Sequence, residues 1–469
     1  MRILKLFFFC SFLALASGCK QEPVKVAPPP PPVEKVPERL PTDYSAPKWA
    51  KNANLYEVNL RQYTKEGTFN AFVEHLPRLK KMGIDILWFM PIYPISKVKR
   101  KGTLGSYYAV ADYKAINPEF GTMEDFDNMV KAIHDQGMHL ILDWVPNHTG
   151  WDHPWITEHP EWYTQDKDGN IIDPIDPGTG KSWGWTDVAD LNYDNKEMRA
   201  EMISDMSFWI TEKKIDGYRM DVAHNVPDDF WQEVRDALFA HRRAIFMLAE
   251  SEVPTHRNNR YFHATYGWSM HHLLNEIAQG KKKASDIDTL LKKDRRDFKK
   301  GYHIHFTSNH DENTWNGTVM ERMGDAHKAL AAFSATFAGM HLIYGGQEEP
   351  LRKRLEFFEK DDIGFQNYEY EEFYTTLNKL KRESPAMMNG RHGGKPEKML
   401  IDNDDAYFFI RTKNGHKVMG LFNLSDKQNS IAIPVGLRGT DIFTGRRLTW
   451  MGDDEVLLKP WQFYILKNK

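Results

Sequence analysis

The chain has 469 residues, enough for one large barrel with a smaller partner domain or for two to four ordinary domains. Hydrophobic residues make up 41% and charged residues 27%, which excludes a globally disordered chain. A formal charge of −3 gives no overall basic field, so no nucleic-acid partner is expected.

The first 18 residues read as a signal peptide. Arg2 and Lys5 precede an apolar run, Leu6 to Ala16, that is too short to span a membrane. The run ends Leu15-Ala16-Ser17-Gly18-Cys19, which resembles the lipobox of bacterial lipoproteins. That resemblance implies cleavage before Cys19 and a lipid on its thiol. Lys20 in place of an Asp implies the outer membrane of a Gram-negative bacterium. An ordinary cleaved leader is the alternative. Cys10 and Cys19 are the only cysteines, so no disulfide or thiolate zinc site is available further on. Residues 19–47 hold nine of the 25 prolines, including Pro28 to Pro32, and read as an extended tether.

Short apolar strands then alternate with helical spacing. Strands are expected at Asn54–Leu60, Asp85–Phe89, His139–Val145, Gly217–Val222, Ile245–Glu250, His303–Asn309 and His341–Gly345. Helices are expected at Phe69–Met82, Met123–Gln136, Lys196–Lys213, Asp228–His241 and Ala326–Phe337, among others. The count of βα units is near eight, so an α/β fold is expected: a (β/α)8 TIM barrel over residues 48–390. Residues 149–191 lack helical spacing and read as a small inserted domain after the third strand. Within them, Asp166-Lys167-Asp168-Gly169 reads as a hairpin turn rather than a cation loop. From 391 to 469 the pattern alternates, as in Ala406–Arg411, Lys417–Leu424, Ile431–Ile433 and Phe463–Leu466, and predicts an antiparallel β domain.

In such a barrel the site lies at the C-terminal strand ends. The third strand exits through Asp143, Asn147 and His148, the fourth through Arg219 and Asp221, the fifth at Glu250, and the seventh through Asn309-His310-Asp311. Arg219 and Asp221 are two apart on a strand and share a face, which sets a permanent cation beside a carboxylate. Any one Asp there reads as a cap or turn. Three carboxylates, two histidines and an arginine at successive strand ends do not. Two carboxylates flanking a bond are the equipment of glycoside hydrolysis.

Four motifs in order, Asp143…Asn147-His148, Gly217-x-Arg219-x-Asp221, Glu250 and Asn309-His310-Asp311, resemble those of the α-amylase family of glycoside hydrolases. Ala189-Asp190-Leu191-Asn192 and Ser106 to Tyr113 resemble two more stretches of that family. The resemblance implies a retaining hydrolase of α-1,4-glucosidic bonds in starch-derived glucans or maltooligosaccharides. It makes Asp221 the nucleophile, Glu250 the acid and base, and Asp311 the transition-state stabiliser. Tyr108, Asp143, His148, Arg219, His224 and His310 are implied around the sugar, with Arg219 keeping Asp221 ionised. It also raises a structural calcium held in part by Asn147 and Asp190, although Asn147 reads equally as a loop bridge. No organic cofactor is implied, for there is no G-x-G-x-x-G and no P-loop.

Many family members carry Lys-His three and four residues after the nucleophile. Here His224 and Asn225 stand there, and the motif is closer to neopullulanase-like and cyclomaltodextrinase-like members. A glucanotransferase or an α-1,6-acting enzyme is the rival within the family. A non-catalytic glycan-binding lipoprotein is the rival outside it.

Overall fold

The computed structural model describes residues 46–176, 178–241 and 244–469. The signal peptide, Cys19 and the proline run lie outside these residues. Eight strands form a closed parallel barrel: β1 (Leu55–Val58), β2 (Ile86–Phe89), β3 (His139–Trp144), β4 (Gly217–Met220), β5 (Phe246–Ala249), β6 (Ala264–Tyr266), β7 (Tyr302–His305) and β8 (Met340–Tyr344). Each pairs with the next, and β8 closes on β1 with Leu342 opposite Leu55. Side chains such as Leu55, Ile86, Ile141, Phe246, Leu248, Ile304 and Leu342 fill the interior as a buried core.

β6 has no counterpart among the strands expected from sequence. It is three residues long, and its only strongly apolar side chain is the ring of Tyr266, so no apolar run marks it. The helix expected over Phe69–Met82 is two helices, Phe69–Val73 and Leu76–Met82. Pro77 removes an amide donor and is tolerated only in a first turn, so a second helix must start there. Gly217 opens β4 at φ 148°, where a Cβ would sit 1.8 Å from the Phe246 carbonyl oxygen. Only glycine lets β4 start this close to β5.

The insertion after β3 is tied at its ends by an antiparallel pair, His148–Gly150 with Val188–Asp190. Between them lies a short helix, Trp155–Glu158. The Asp166 turn is a hairpin turn as expected: the Asp166 carboxylate accepts from the amides of Asp168 and Asn170, and Gly169 has φ 83°.

After the helix Glu371–Glu383 the chain forms a six-stranded antiparallel sheet and a separate two-stranded one. The large sheet rests on the helix His327–Thr336 through Phe333 and Phe337, packed edge-on against Tyr407 and Phe409. Among the described residues no helix is long and apolar enough to cross a membrane.

Candidate active site

A cavity of about 610 Å³ opens at the C-terminal ends of the strands. Asp221 and Glu250 each directly follow the last residue of β4 and β5, so their carboxylates emerge into it. Asp311 begins the π-helical turn Glu312–Asn316 after β7 and lines the same cavity, as do Tyr108, His148, His224 and His310. Asp143 and Arg219, expected to meet the sugar, do not line it: both are fully buried. The reason is register. Each precedes the final residue of its strand, and the two are directly paired, so both side chains stay inside the barrel.

Arg219 is the hub of the floor. Its Nη1 donates to Asp143 Oδ1 and Asp221 Oδ1, both at 2.8 Å, and Nε donates to Tyr266 Oη at 3.2 Å. Its Nη2 lies 2.9 Å from Glu250 Oε2, though not aligned as a hydrogen bond. The Trp88 ring faces the guanidinium at 5.0 Å. Asp143 accepts three bonds, from Arg219, Trp88 Nε1 and Tyr108 Oη. Glu250 Oε2 accepts from the Val222 amide at 2.9 Å. Val222 holds a left-handed conformation, φ 43° and ψ 38°, which a β-branched residue adopts only at a cost. That strain aims its amide at Glu250.

Arg219 does not hold Asp221 at a low pKa. Burial drives the Asp221 carboxyl well above the usual range, Glu250 and Asp143 push the same way, and Arg219 only opposes them. Burial also raises Asp143 to about 6, against the pull of Arg219 and His310. Asp311 is raised too, chiefly by desolvation in the pocket, although 37% of its side chain meets solvent. The cluster therefore binds protons more tightly than free carboxylates do, and its titration belongs to the group as a whole. Burial lowers His148 to about 4, so it is neutral at pH 7.

Several lining residues were not legible as site residues. Trp183 and Trp185 come from the insertion and stack at 5.7 Å and 16°. Trp315 follows Asp311, is 52% exposed, and leans on Phe357. Trp268 opens the helix after β6. A tryptophan in a loop carries no signal of its own, and only its exposure beside the carboxylates marks these. Glu57 on β1 is fully buried beneath His310 and was likewise not singled out. Asn225 sits next to His224 but does not line the cavity.

Asn147 and Asp190 lie at the base of the insertion. Asn147 Nδ2 is 3.1 Å from Nδ1 of its chain neighbour His148, and burial raises Asp190 to about 7. Among the described residues no three His, Cys, Asp or Glu side chains gather to hold an ion. One carboxylate and one side-chain amide are a thin donor set for calcium, which takes six to eight oxygens.

A closed parallel barrel with this floor and these ring walls defines a (β/α)8 protein equipped for acid–base chemistry on a ligand with flat apolar faces. The chain belongs to the alpha-amylase family: the family's catalytic domain ("Alpha amylase, catalytic domain") matches residues 47–363. It is similar to alpha-amylase MalA of Haloarcula japonica, 24% identical over 88% of this chain and 61% of that protein. It is also similar to an alpha-1,4-glucan:maltose-1-phosphate maltosyltransferase of Cereibacter sphaeroides, 26% identical over 83% of this chain and 62% of that one. The chain thus spans about three fifths of these curated relatives. Among solved structures, the noncanonic maltogenic alpha-amylase AmyB from Thermotoga neapolitana superposes with a TM-score of 0.79. It is 26% identical, with 90% of this chain and 99% of that one covered.

Proposed function

We propose that the protein is a retaining glycoside hydrolase that cleaves α-1,4-glucosidic bonds in starch-derived glucans or maltooligosaccharides. One observation carries this: Asp221 and Glu250 flank one buried guanidinium at the floor of an aromatic-walled cavity. In its ionised form, which Arg219 favours against burial, Asp221 attacks the anomeric carbon while Glu250, in its protonated form, gives its proton to the departing oxygen. Glu250, now a carboxylate, takes a proton from water, and that water's oxygen displaces Asp221. Asp311 answers the positive charge that builds on the ring, His310 donates to a sugar hydroxyl, and Tyr108, stacked on His310 at 5.5 Å, gives the ring a flat wall. Double inversion returns the α configuration, so early products followed by proton NMR will be α-anomers. β-anomers would remove Asp221 as nucleophile. Chromatography of products from starch, pullulan and maltoheptaose separates this reading from transglycosylation and α-1,6 cleavage. The maltosyltransferase among the relatives is what keeps transfer as the second reading.

The nucleophile motif supports a neopullulanase-like or cyclomaltodextrinase-like preference for short chains, with His224 facing the leaving group. His224 lacks the reach of a lysine, and one hydrogen bond to a sugar hydroxyl is worth about 1 kcal/mol, about fivefold in kcat/KM. Wild type will favour maltotriose and maltoheptaose over soluble starch, and His224→Lys with Asn225→His will shift that ratio about fivefold toward starch. An unmoved ratio would mean that these positions do not set chain length.

The leader supports a lipid anchor on Cys19 in the outer membrane, with residues 20–47 as tether. Cys19→Ala will release the protein to the soluble fraction or block its processing. A wild-type protein already soluble, with its mature N-terminus elsewhere, would overturn the anchor.

A further inference from the structure

We propose that Glu57 is a positioning residue that holds His310 as an imidazolium, so that both ring nitrogens donate and the cation faces the sugar beside Asp311. This rests on the glycosidase reading for its kinetic consequence but not for its geometry.

Counting protons carries the inference. Asp143 Oδ2 accepts from Trp88 Nε1 and from Tyr108 Oη, both at 3.1 Å. Tyr108 has one proton, and it goes to Asp143. His310 Nε2 lies 2.9 Å from the same phenol oxygen, so Nε2 must be the donor there. It also lies 3.3 Å from Asp311 Oδ2. The other ring nitrogen, Nδ1, is 2.5 Å from Glu57 Oε1, which is 3.4 Å from the His310 amide as well. A carboxylate oxygen accepts from the amide and from Nδ1 at once, whereas a carboxylic hydroxyl there would be the poorer acceptor for the amide. Glu57 Oε2 is buried with no hydrogen-bond partner among the described residues, so a proton there would have nowhere to point. With the shared proton on Nδ1, both nitrogens carry hydrogen and the ring is cationic.

The groups facing this ring come from every neighbouring element. Glu57 lies on β1, Asp143 on β3 and Arg219 on β4, Tyr108 follows β2, and Asp311 is its chain neighbour. Tyr344 on β8 faces Glu57. Burial works against both charges: it raises Glu57, which His310 pulls back down, and it opposes the imidazolium, but Asp311 and Glu57 outweigh it and raise His310 to about 9, with Arg219 opposing. A raised histidine keeps its charge below that value and loses it above, so activity should hold through neutral pH and fall on the basic side.

Glu57→Gln keeps an oxygen acceptor and removes the charge. The NMR titration of the His310 ring, assigned by its loss in His310→Gln, will show a midpoint above 8 in wild type and at least about one unit lower in Glu57→Gln. The ratio of kcat/KM at pH 8 to that at pH 6 will fall about twofold with it, because a group titrating near 9 is about nine-tenths charged at pH 8 and one titrating near 8 is half charged. Glu57→Asp will recover part of both. A purely structural role would lower activity equally at all pH values and leave the ring's midpoint in place. Three results would overturn the proposal: a wild-type ring neutral at pH 7, a midpoint unmoved in Glu57→Gln, or a midpoint that moves while the pH profile does not. Should Glu57→Gln fail to fold, the wild-type titration and Glu57→Asp still decide. Should no α-glucan be cleaved, the glycosidase reading fails, and the ring titration still tests the pair.

Discussion

Asp221→Asn and Glu250→Gln will each reduce turnover of maltoheptaose by at least about three orders of magnitude, and Asp311→Asn by at least about two. The three losses differ in kind. An amide at 221 cannot attack carbon, so no substrate restores the rate. An amide at 250 cannot give a proton, but a leaving group acidic enough to depart without one bypasses that need in the first step. With a nitrophenyl maltoside, Glu250→Gln will therefore form the covalent glycosyl-enzyme faster than it breaks it down. Mass spectrometry of the trapped protein will place the sugar on the peptide holding Asp221. The Asp311 change weakens charge stabilisation without removing a bond-making atom, hence its smaller effect. All three are near-isosteric, so unfolding temperatures should stay within a few degrees of wild type. A near-wild-type rate in any one, with normal unfolding, takes that residue out of the mechanism. Sugar found on a residue other than Asp221 reassigns the nucleophile.

How much of this was legible beforehand differs residue by residue. Several of the barrel strands announce themselves by a run of buried apolar side chains, as in Ile86 to Phe89, Phe246 to Ala249 and Leu140 to Leu142. β6 does not, because its burial comes from partners on β5 and β7 rather than from its own composition. Asp221 and Glu250 could be read because a carboxylate just past a strand end is a position with a known orientation. Glu57 could not. Within Leu55–Val58 it is one polar residue in a strand, and what makes it matter is a histidine 253 positions away. The direction of the Asp221 shift is hidden from the sequence for the same reason. Arg219 is its neighbour in sequence, while Asp143 and Glu250, which share that cation, arrive from two other strands. Local spacing shows the attraction and hides the crowding. The walls of Trp183, Trp185 and Trp315 sit on loops, where no periodicity says which way a ring faces.

That crowding makes Arg219 the residue whose loss will be felt most widely. It is fully buried, and one guanidinium answers Asp143, Asp221 and Glu250 at 2.8, 2.8 and 2.9 Å. Arg219→Leu takes from Asp221 and Glu250 the cation they touch and leaves Asp143 only the more distant His310. Removing one partner of a buried ion pair costs about 3–5 kcal/mol, and here three acids lose theirs together. The acids will respond by taking up protons. Carboxyls whose pKa is raised on folding contribute their stability below about pH 4, the unfolded value, and lose it as pH rises through the folded value. Asp143 already stands at about 6 with the cation present, and without it the window extends further up. The variant should then unfold at a distinctly higher temperature at pH 5 than at pH 8, a larger difference than wild type shows. Arg219→Lys separates charge from shape. A single ammonium restores the charge, but it cannot donate from Nη1 to two carboxylates and from Nε to Tyr266 at once. Most of the stability should return while turnover stays down by about two orders of magnitude, because Asp221 is no longer held at its angle of attack. Thermal unfolding across pH and turnover of the two variants decide it. Wild-type turnover in Arg219→Lys would show that charge alone suffices. A pH-independent loss of stability in Arg219→Leu would show that the acids were never competing for the cation.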